Sequence, residues 1–170
     1  NLSMNPNLPA AATLLSLLLV SGLVLAKSTD RNQPMNIDSG HQSGSFEGSS
    51  KTVLSQGVIV TQGSLEIRSN TGEIYLDDGE ISRAVFTGKQ VKLKQQMDDG
   101  SWMDATADRV EYDIKSETIT FIGNYTMKSP RGSNSGQRMV YNTKSGNMES
   151  GGDGTRVRTV IQPKSAQGKN

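Results

Sequence analysis

The sequence has no cysteine, one histidine and few aromatic residues, with three Phe, one Trp and four Tyr among 170 positions. Without cysteine there are no disulfides, thiolate metal ligands or thiol nucleophiles, so burial and backbone pairing must hold the chain together. The single histidine, His41, lies among Gly, Ser and Gln residues, which is typical of an exposed position. We therefore expect no catalytic residues, metal ion or cofactor.

Neither sign of charge dominates, because 18 Lys and Arg residues face 17 Asp and Glu residues. Such a balance gives no broad electropositive field and argues against nucleic-acid binding. A phosphate-binding G-x-x-x-x-G-K-[ST] loop is missing as well. Helical periodicity is also missing, since after residue 26 no window of about ten residues places apolar side chains three and four positions apart. The sequence thus predicts an almost entirely β mature protein without ATPase activity.

Residues 10–26 form the one long apolar run of the chain. This run is shorter than a typical membrane-spanning helix, which needs about 20 apolar residues. It ends in V-L-A, whose small last residue suits a signal peptidase. We predict a signal peptide over residues 1–26, one domain over residues 27–162 and a polar tail over residues 163–170. The alternative is that the run stays uncleaved as a membrane anchor.

Residues 52–68 organise the rest of the chain, because strand-type residues there are punctuated by Gly57 and Gly63. Side chains of a strand alternate between two faces, and glycine inside a strand pattern marks a bulge or bend. A sheet that is bent repeatedly is therefore expected. The alternation places one set of apolar side chains on a common face, namely Val58, Val60, Leu65 and Ile67.

Hairpins continue through the middle of the chain. Val91 and Leu93 alternate with lysines, and two Asp-Asp-Gly triplets, at residues 77–79 and 98–100, suit tight turns. The paired aspartates could instead be catalytic carboxylates of a secreted β-sandwich enzyme acting on carbohydrate. However, adjacent residues of a strand point to opposite faces, so we favour turns.

Both ends of the predicted sheet lack the features that usually block an edge strand. The first strand is expected over residues 35–38 after Pro34, followed by a Gly- and Ser-rich loop or weak sheet over residues 39–50. The last strand is expected over residues 155–161, ending before Pro163. The edge residues that we expect to pair with other chains are Met35, Asn36 and Ile37 at one end and Val157, Arg158, Thr159, Val160 and Ile161 at the other.

An internal repeat aligns residues 108–116 with residues 137–145, matching Arg, Tyr, Lys and Ser. Each copy predicts a strand, a Lys-Ser turn, a second strand and a glycine, so a stack of hairpins is expected. From composition alone, a sandwich whose apolar faces pack only on each other and an open apolar trough are equally compatible with these strands.

Three motifs carry a resemblance to a known family: Q-P-M-N-I-D at residues 33–38, G-V-I-V-T-Q-G at residues 57–63, and A-D-R-V-E-Y at residues 107–112 followed by F-I-G-N. The chain resembles the LptA family of lipopolysaccharide export proteins, which have an OstA-type β domain. The resemblance covers most of the mature chain. It implies an open β-jellyroll of sequential antiparallel strands, located in the periplasm, whose interior shields the acyl chains of lipid A.

The resemblance also implies partners. Protomers would stack head to tail, the inner-membrane export complex with its C component would dock at the N-terminal edge, and the outer-membrane translocon with its D component at the C-terminal edge. A runner-up is the membrane-anchored C component itself. The implied head-group contacts are Arg83 and Lys89. The implied lipid-binding residues are Met35, Ile37, Val58, Val60, Leu65, Ile67, Val91, Leu93, Val110, Tyr112, Ile114 and Phe121.

Overall fold

The computed structural model describes residues 29–164. These residues form one short 3-10 helix and ten β-strands, which confirms the all-β prediction. The elements are the 3-10 helix Asp30–Asn32, β1 Met35–Gly44, β2 Ser50–Gln62, β3 Leu65–Ser69, β4 Thr71–Asp77, β5 Glu80–Gln96, β6 Trp102–Asp113, β7 Thr118–Ser129, β8 Gly132–Asn142, β9 Met148–Ser150 and β10 Arg158–Ile161. The predicted signal peptide lies outside the described residues, as does most of the predicted tail. In the described part, no helix is long and apolar enough to cross a membrane.

All strand pairs are antiparallel, and the sheet runs in the order β1-β2-β3-β5-β6-β7-β8-β10. Near its N-terminal edge the sheet divides, because the long strands β2 and β5 each pair with two short strands, β3 and β4. The first part of β2 pairs with β4 and its second part with β3. Likewise, β5 pairs first with β4 and then with β3. The sheet is therefore split into two halves that share their long strands.

A line of bulges separates the two halves. Register shifts occur between Ser39 and His41 and at matching places between β5, β6, β7 and β8. Gly57 and Gly123 lie on this line with φ angles of 83° and 81°. At Gly123 a Cβ atom would also be 2.6 Å from the Asp108 carboxylate, so glycine is required there. Because a bulge bends its strand, each long strand contributes to two layers, which confirms the expected bent sheet.

The two layers enclose a single apolar core. Layer one contains β4, β9 and the strand segments on one side of the bulges, and layer two contains β3, β10 and the segments on the other side. Leu54, Ile74 and Phe86 of layer one and Ile67 and Leu93 of layer two belong to the same buried cluster. Each such side chain stabilises the fold by about 1.5–3 kcal/mol when it is fully buried.

Strand lengths at the two edges differ from the prediction. The first strand continues through Gly44, so part of the segment read as a loop is sheet. The last strand begins only at Arg158 and pairs with β8, whereas residues 155–161 were expected to be extended. Its shortening has a physical cause. The preceding glycines, including Gly151 and Gly152, have positive φ angles, and Thr155 is held in a turn by the Asp153 carboxylate.

The internal repeat is confirmed by the hairpins β6–β7 and β8–β9. Tyr112 and Tyr141 occupy equivalent positions and are both buried. The next equivalent pair differs, since Ile119 is fully buried but Met148 is 51% exposed. β9 has only three residues, and within the described part of the chain it pairs only with β8. In the second copy of the repeat, Met148 is therefore exposed, whereas the equivalent residue of the first copy, Ile119, is buried.

Candidate functional site

The predicted interior residues come together between the two layers. Nine of them are buried and belong to one cluster, namely Val58, Val60, Leu65, Ile67, Val91, Leu93, Val110, Tyr112 and Phe121. The remaining three, Met35, Ile37 and Ile114, are partly buried and pack against that cluster. Around these residues, the protein's own side chains fill the space between the two layers. Contact of these residues with a lipid therefore stays a prediction.

The two predicted head-group residues lie away from this interior. Arg83 is on the outer face of layer one, where its guanidinium group is 3.4 Å from Glu111 and lies 5.3 Å above the Tyr75 ring. Lys89 lies exposed on the line of bulges, and its backbone N–H donates to the Asn70 side chain. Contact of either residue with a head group stays a prediction.

An apolar cavity of about 430 Å³ lies between the turn ends of the two layers, on the side of the C-terminal edge. We call the gap between these turn ends the mouth. The exposed wall of the cavity is mainly apolar, although six polar side chains also line it, namely Ser101, Ser129, Arg131, Ser133, Asn134 and Thr159. The larger apolar side chains that line the cavity are Met97, Met103, Met127, Tyr141, Met148, Val160 and Ile161.

Four of the seven methionines of the sequence line this cavity. Methionine is unbranched and polarizable, so its side chain adapts to apolar ligands of different shape. Met103 and Met127 occupy inward positions of β6 and β7, which their strand alternation could have indicated. Of the lining residues, only Thr159, Val160 and Ile161 were predicted from the sequence, and they were predicted as edge residues.

Asn134 fixes the wall of the cavity. It is buried, and its side-chain oxygen accepts a hydrogen bond from the Tyr125 hydroxyl at 2.5 Å. Its amide nitrogen donates to the Thr159 hydroxyl of β10 at 2.9 Å, and Ser150 of β9 donates to its oxygen at 3.4 Å. A single amide thus connects β7, β8, β9 and β10. No sequence motif marks this residue.

Asp78, Asp98 and Asp99 lie in turns, as the sequence predicted, and Asp77 is the last residue of β4 before its turn. A hydrogen bond from Lys115, together with its charge, lowers the pKa of Asp77 below its ordinary value. Hydrogen bonds from the side chain and backbone of Ser101 lower the pKa of Asp99. A general acid needs a carboxyl group whose pKa is raised. These carboxylates therefore stabilise turns and are poorly suited to acid catalysis.

Comparison with known proteins agrees with this geometry. Residues 36–147 match the family described as LptA/(LptD N-terminal domain) LPS transport protein. The lipopolysaccharide export system protein LptA of Haemophilus influenzae is 32% identical over 158 residues, which are 91% of this chain and 91% of the relative. The protein of the same name from Escherichia coli K12 is 30% identical over 158 residues, covering 91% of this chain and 85% of the relative.

A solved structure has the same fold. It is the crystal structure of LptH from Pseudomonas aeruginosa, described as the LptA-homologous periplasmic component of a lipopolysaccharide transport device. The TM-score is 0.69, and the match covers 79% of this chain and 99% of that chain. At 23% identity, this similarity supports the open β-jellyroll architecture alone.

Proposed function

The chain belongs to the LptA/(LptD N-terminal domain) family of LPS transport proteins, and on this premise we propose that it binds lipopolysaccharide and carries it across the periplasm. The relatives are export proteins, which confirms the prediction that the chain is not an enzyme. The proposal adds a mechanism, in which the acyl chains of lipid A lie between the two layers while the sugars and phosphates stay outside.

The observation that carries the proposal is the apolar cavity at the mouth. Its volume lies within the about 300–1,000 Å³ typical of small-molecule sites, and it adjoins the core between the layers. Shielding an acyl chain there is favourable by about 0.8 kcal/mol for each buried CH₂ group. The exposed wall of the cavity is mainly apolar, so few hydrogen bonds would hold the lipid at one place. Such a surface can shield a chain and still release it.

Entry of the acyl chains starts at the mouth and proceeds inward. The chains first replace water around Met127, Tyr141 and Met148. Deeper insertion separates the layers beside the buried residues predicted from the sequence, such as Leu93 and Phe121. The bulges make this possible, because each layer keeps its own hydrogen-bonded ladder on its side of the bend. Opening therefore breaks apolar contacts and spares backbone pairing.

The phosphates of lipid A require cations near the mouth. Arg131 lines the cavity and is close enough to Asp99 for its charge to contribute to the lowered pKa of that carboxyl. Guanidinium groups bind phosphate in a bidentate manner. We therefore place a head-group contact at Arg131, whereas Arg83 and Lys89 would act only on parts of the head group that extend over the outer surface.

The two edges of the sheet provide the joints of a bridge. In the described chain β1 pairs only with β2, while β10 pairs only with β8. An edge strand adds readily to the sheet of another chain. We propose that β10 of one protomer pairs with β1 of the next, and that the same edges dock the inner-membrane C component and the outer-membrane D component. The contact is heterologous, so it forms open filaments.

Replacing Met127 with glutamate should weaken lipopolysaccharide binding at least about tenfold, because an acyl chain entering the cavity would desolvate an unpaired carboxylate. The matched control is Thr126→Glu, which places the same charge at the adjacent position on the opposite face of β7. Titration of the purified proteins with fluorescent lipopolysaccharide measures the effect, and thermal unfolding verifies that both variants are folded. Equal affinity of both variants would contradict the proposed site.

A further inference from the structure

Residues 30–33 lie against the end of layer two, just before β1, and we call this segment the strap. Its first residue, Asp30, is buried and accepts a hydrogen bond from the Ser64 N–H at 3.0 Å. The Ser64 hydroxyl also donates to Asp30, and Gln95 donates at 3.5 Å. Gly63 makes room for the strap, since a Cβ atom there would be 2.3 Å from the Asp30 carboxylate.

The backbone of the strap is held by β2. The side-chain amide of Gln62 donates to the carbonyl oxygens of Arg31 at 3.3 Å and of Gln33 at 3.2 Å. Together with the Asp30 contacts, these bonds attach the strap along the turn between β2 and β3. The strap is therefore a built part of layer two.

The Arg31 side chain crosses to layer one. Its Nη1 atom donates to Oε2 of Glu117 at 3.0 Å, and Glu117 lies in the turn between β6 and β7. That turn is fixed in its place, because the backbone N–H of Thr143 donates to the carbonyl oxygen of Glu117 at 2.9 Å. One ion pair therefore joins the turn ends of the two layers on the side of the N-terminal edge.

The ion pair lies beside the predicted lipid-binding residues, since the backbone N–H of Glu117 donates to the carbonyl oxygen of Ile114 at 3.3 Å and Ile114 packs against the core. Burial raises the pKa of the Tyr112 hydroxyl, the charge of Glu117 raises it further, and the charge of Arg31 opposes that effect. Both charges thus act on a residue at the rim of the core. On the side of the C-terminal edge, the cavity occupies the corresponding gap between the layers.

We propose that the strap is a latch over the N-terminal part of the mouth, and that a lipid chain reaches the interior beside Tyr112 and Ile114 only when the Arg31–Glu117 pair opens. This inference rests on the proposed function. The two anchors differ in kind: Asp30 is buried and multiply bonded, whereas the Arg31–Glu117 pair is partly exposed. Exposed ion pairs are weak, and a phosphate can replace a carboxylate on arginine. The lipid head group can therefore release the latch that its acyl chains must pass.

The absence of native cysteine allows a direct test. The double variant Arg31→Cys with Glu117→Cys is joined by a short bismaleimide linker, and a photo-reactive residue is placed at Ile114 or, separately, at Met127. Lipopolysaccharide is then added and irradiated. We expect linking to reduce capture at Ile114 at least about tenfold, because the competent open state is no longer populated, while capture at Met127 persists. Each single cysteine variant treated with the same linker is the control.

A second variant avoids the chemical link. Arg31→Glu repels Glu117 and should raise capture at Ile114, and adding Glu117→Arg should return it to the original level. Unchanged capture at Ile114 in the linked protein would overturn the latch but leave the proposed function intact. If the unlinked protein captures no lipopolysaccharide at either position, the proposed function fails, and the latch fails with it.

Discussion

Replacing Ile161 with proline is expected to abolish head-to-tail self-association while leaving the protomer folded. Gln162 donates its backbone N–H to the carbonyl of Arg131 across the β8–β10 ladder. In an antiparallel pair, alternate residues direct their N–H groups to the partner strand. Residues 158 and 160 therefore point toward β8, and residues 159 and 161 point to the free edge. Proline at Ile161, a side chain that is 81% exposed, removes only an outward donor.

Matched variants separate this effect from loss of the strand. Val160→Pro removes a donor that pairs with β8 and should detach β10, whereas Ile161→Val keeps both the donor and an apolar side chain. Sedimentation velocity over a concentration series measures oligomer length. We expect monomers for Ile161→Pro and concentration-dependent oligomers for Ile161→Val. Oligomers of equal length in both variants would show that the joint lies elsewhere.

The largest effect on stability is expected for Phe86→Ala, which should lower the free energy of unfolding by about 3–5 kcal/mol. Phe86 is fully buried between the layers, and its ring is so close to β4 that a Cβ atom added at Gly72 would be 3.3 Å from it. Its removal leaves a cavity at the bend, where both layers meet. Such a loss is a large share of the about 5–15 kcal/mol that stabilises a typical domain.

Phe46→Ala is the matched control, because Phe46 is 47% exposed in the connection between β1 and β2. Its effect on the free energy of unfolding should stay below about 1 kcal/mol, as for most surface substitutions. Urea denaturation of both variants gives the comparison. If the two substitutions cost the same, the apolar space between the layers is not a packed core.

The interior could be predicted from the sequence because strand alternation is local. Val91 and Leu93 alternate with Lys92 and Lys94, and the structure places the two sets on opposite faces. The turns at the Asp-Asp-Gly triplets follow from the same local chemistry, since Asp78 and Gly79 both have positive φ angles. Pattern and turn preferences together specify the hairpins and their order.

The mouth and its latch could not be predicted, because they depend on how the bulges bring distant turns together. Arg31 and Glu117 are 86 residues apart and have no common motif. Asn134 has no sequence motif around it, although its hydrogen bonds connect four strands. The shortened β10 likewise depends on glycine conformations after β9, whereas alternation alone predicts a longer strand.

The direction of a predicted head-group residue follows from strand alternation. Arg83 alternates correctly with the buried Ala84 and therefore faces outward, where Glu111 already pairs with it. Arg131 lies in a turn without any alternation pattern, so only the structure places it beside the cavity.

The central claim is tested most directly by comparing lipopolysaccharide capture at neighbouring residues that point to opposite faces of the same strand. Photo-reactive residues are placed one at a time at Leu93 and Met127, which point between the layers, and at Lys92 and Thr126, which point outward. After addition of lipopolysaccharide and irradiation, we predict capture at Leu93 and Met127 and background labelling at Lys92 and Thr126. Equal labelling of the two faces would contradict a lipid held between the layers.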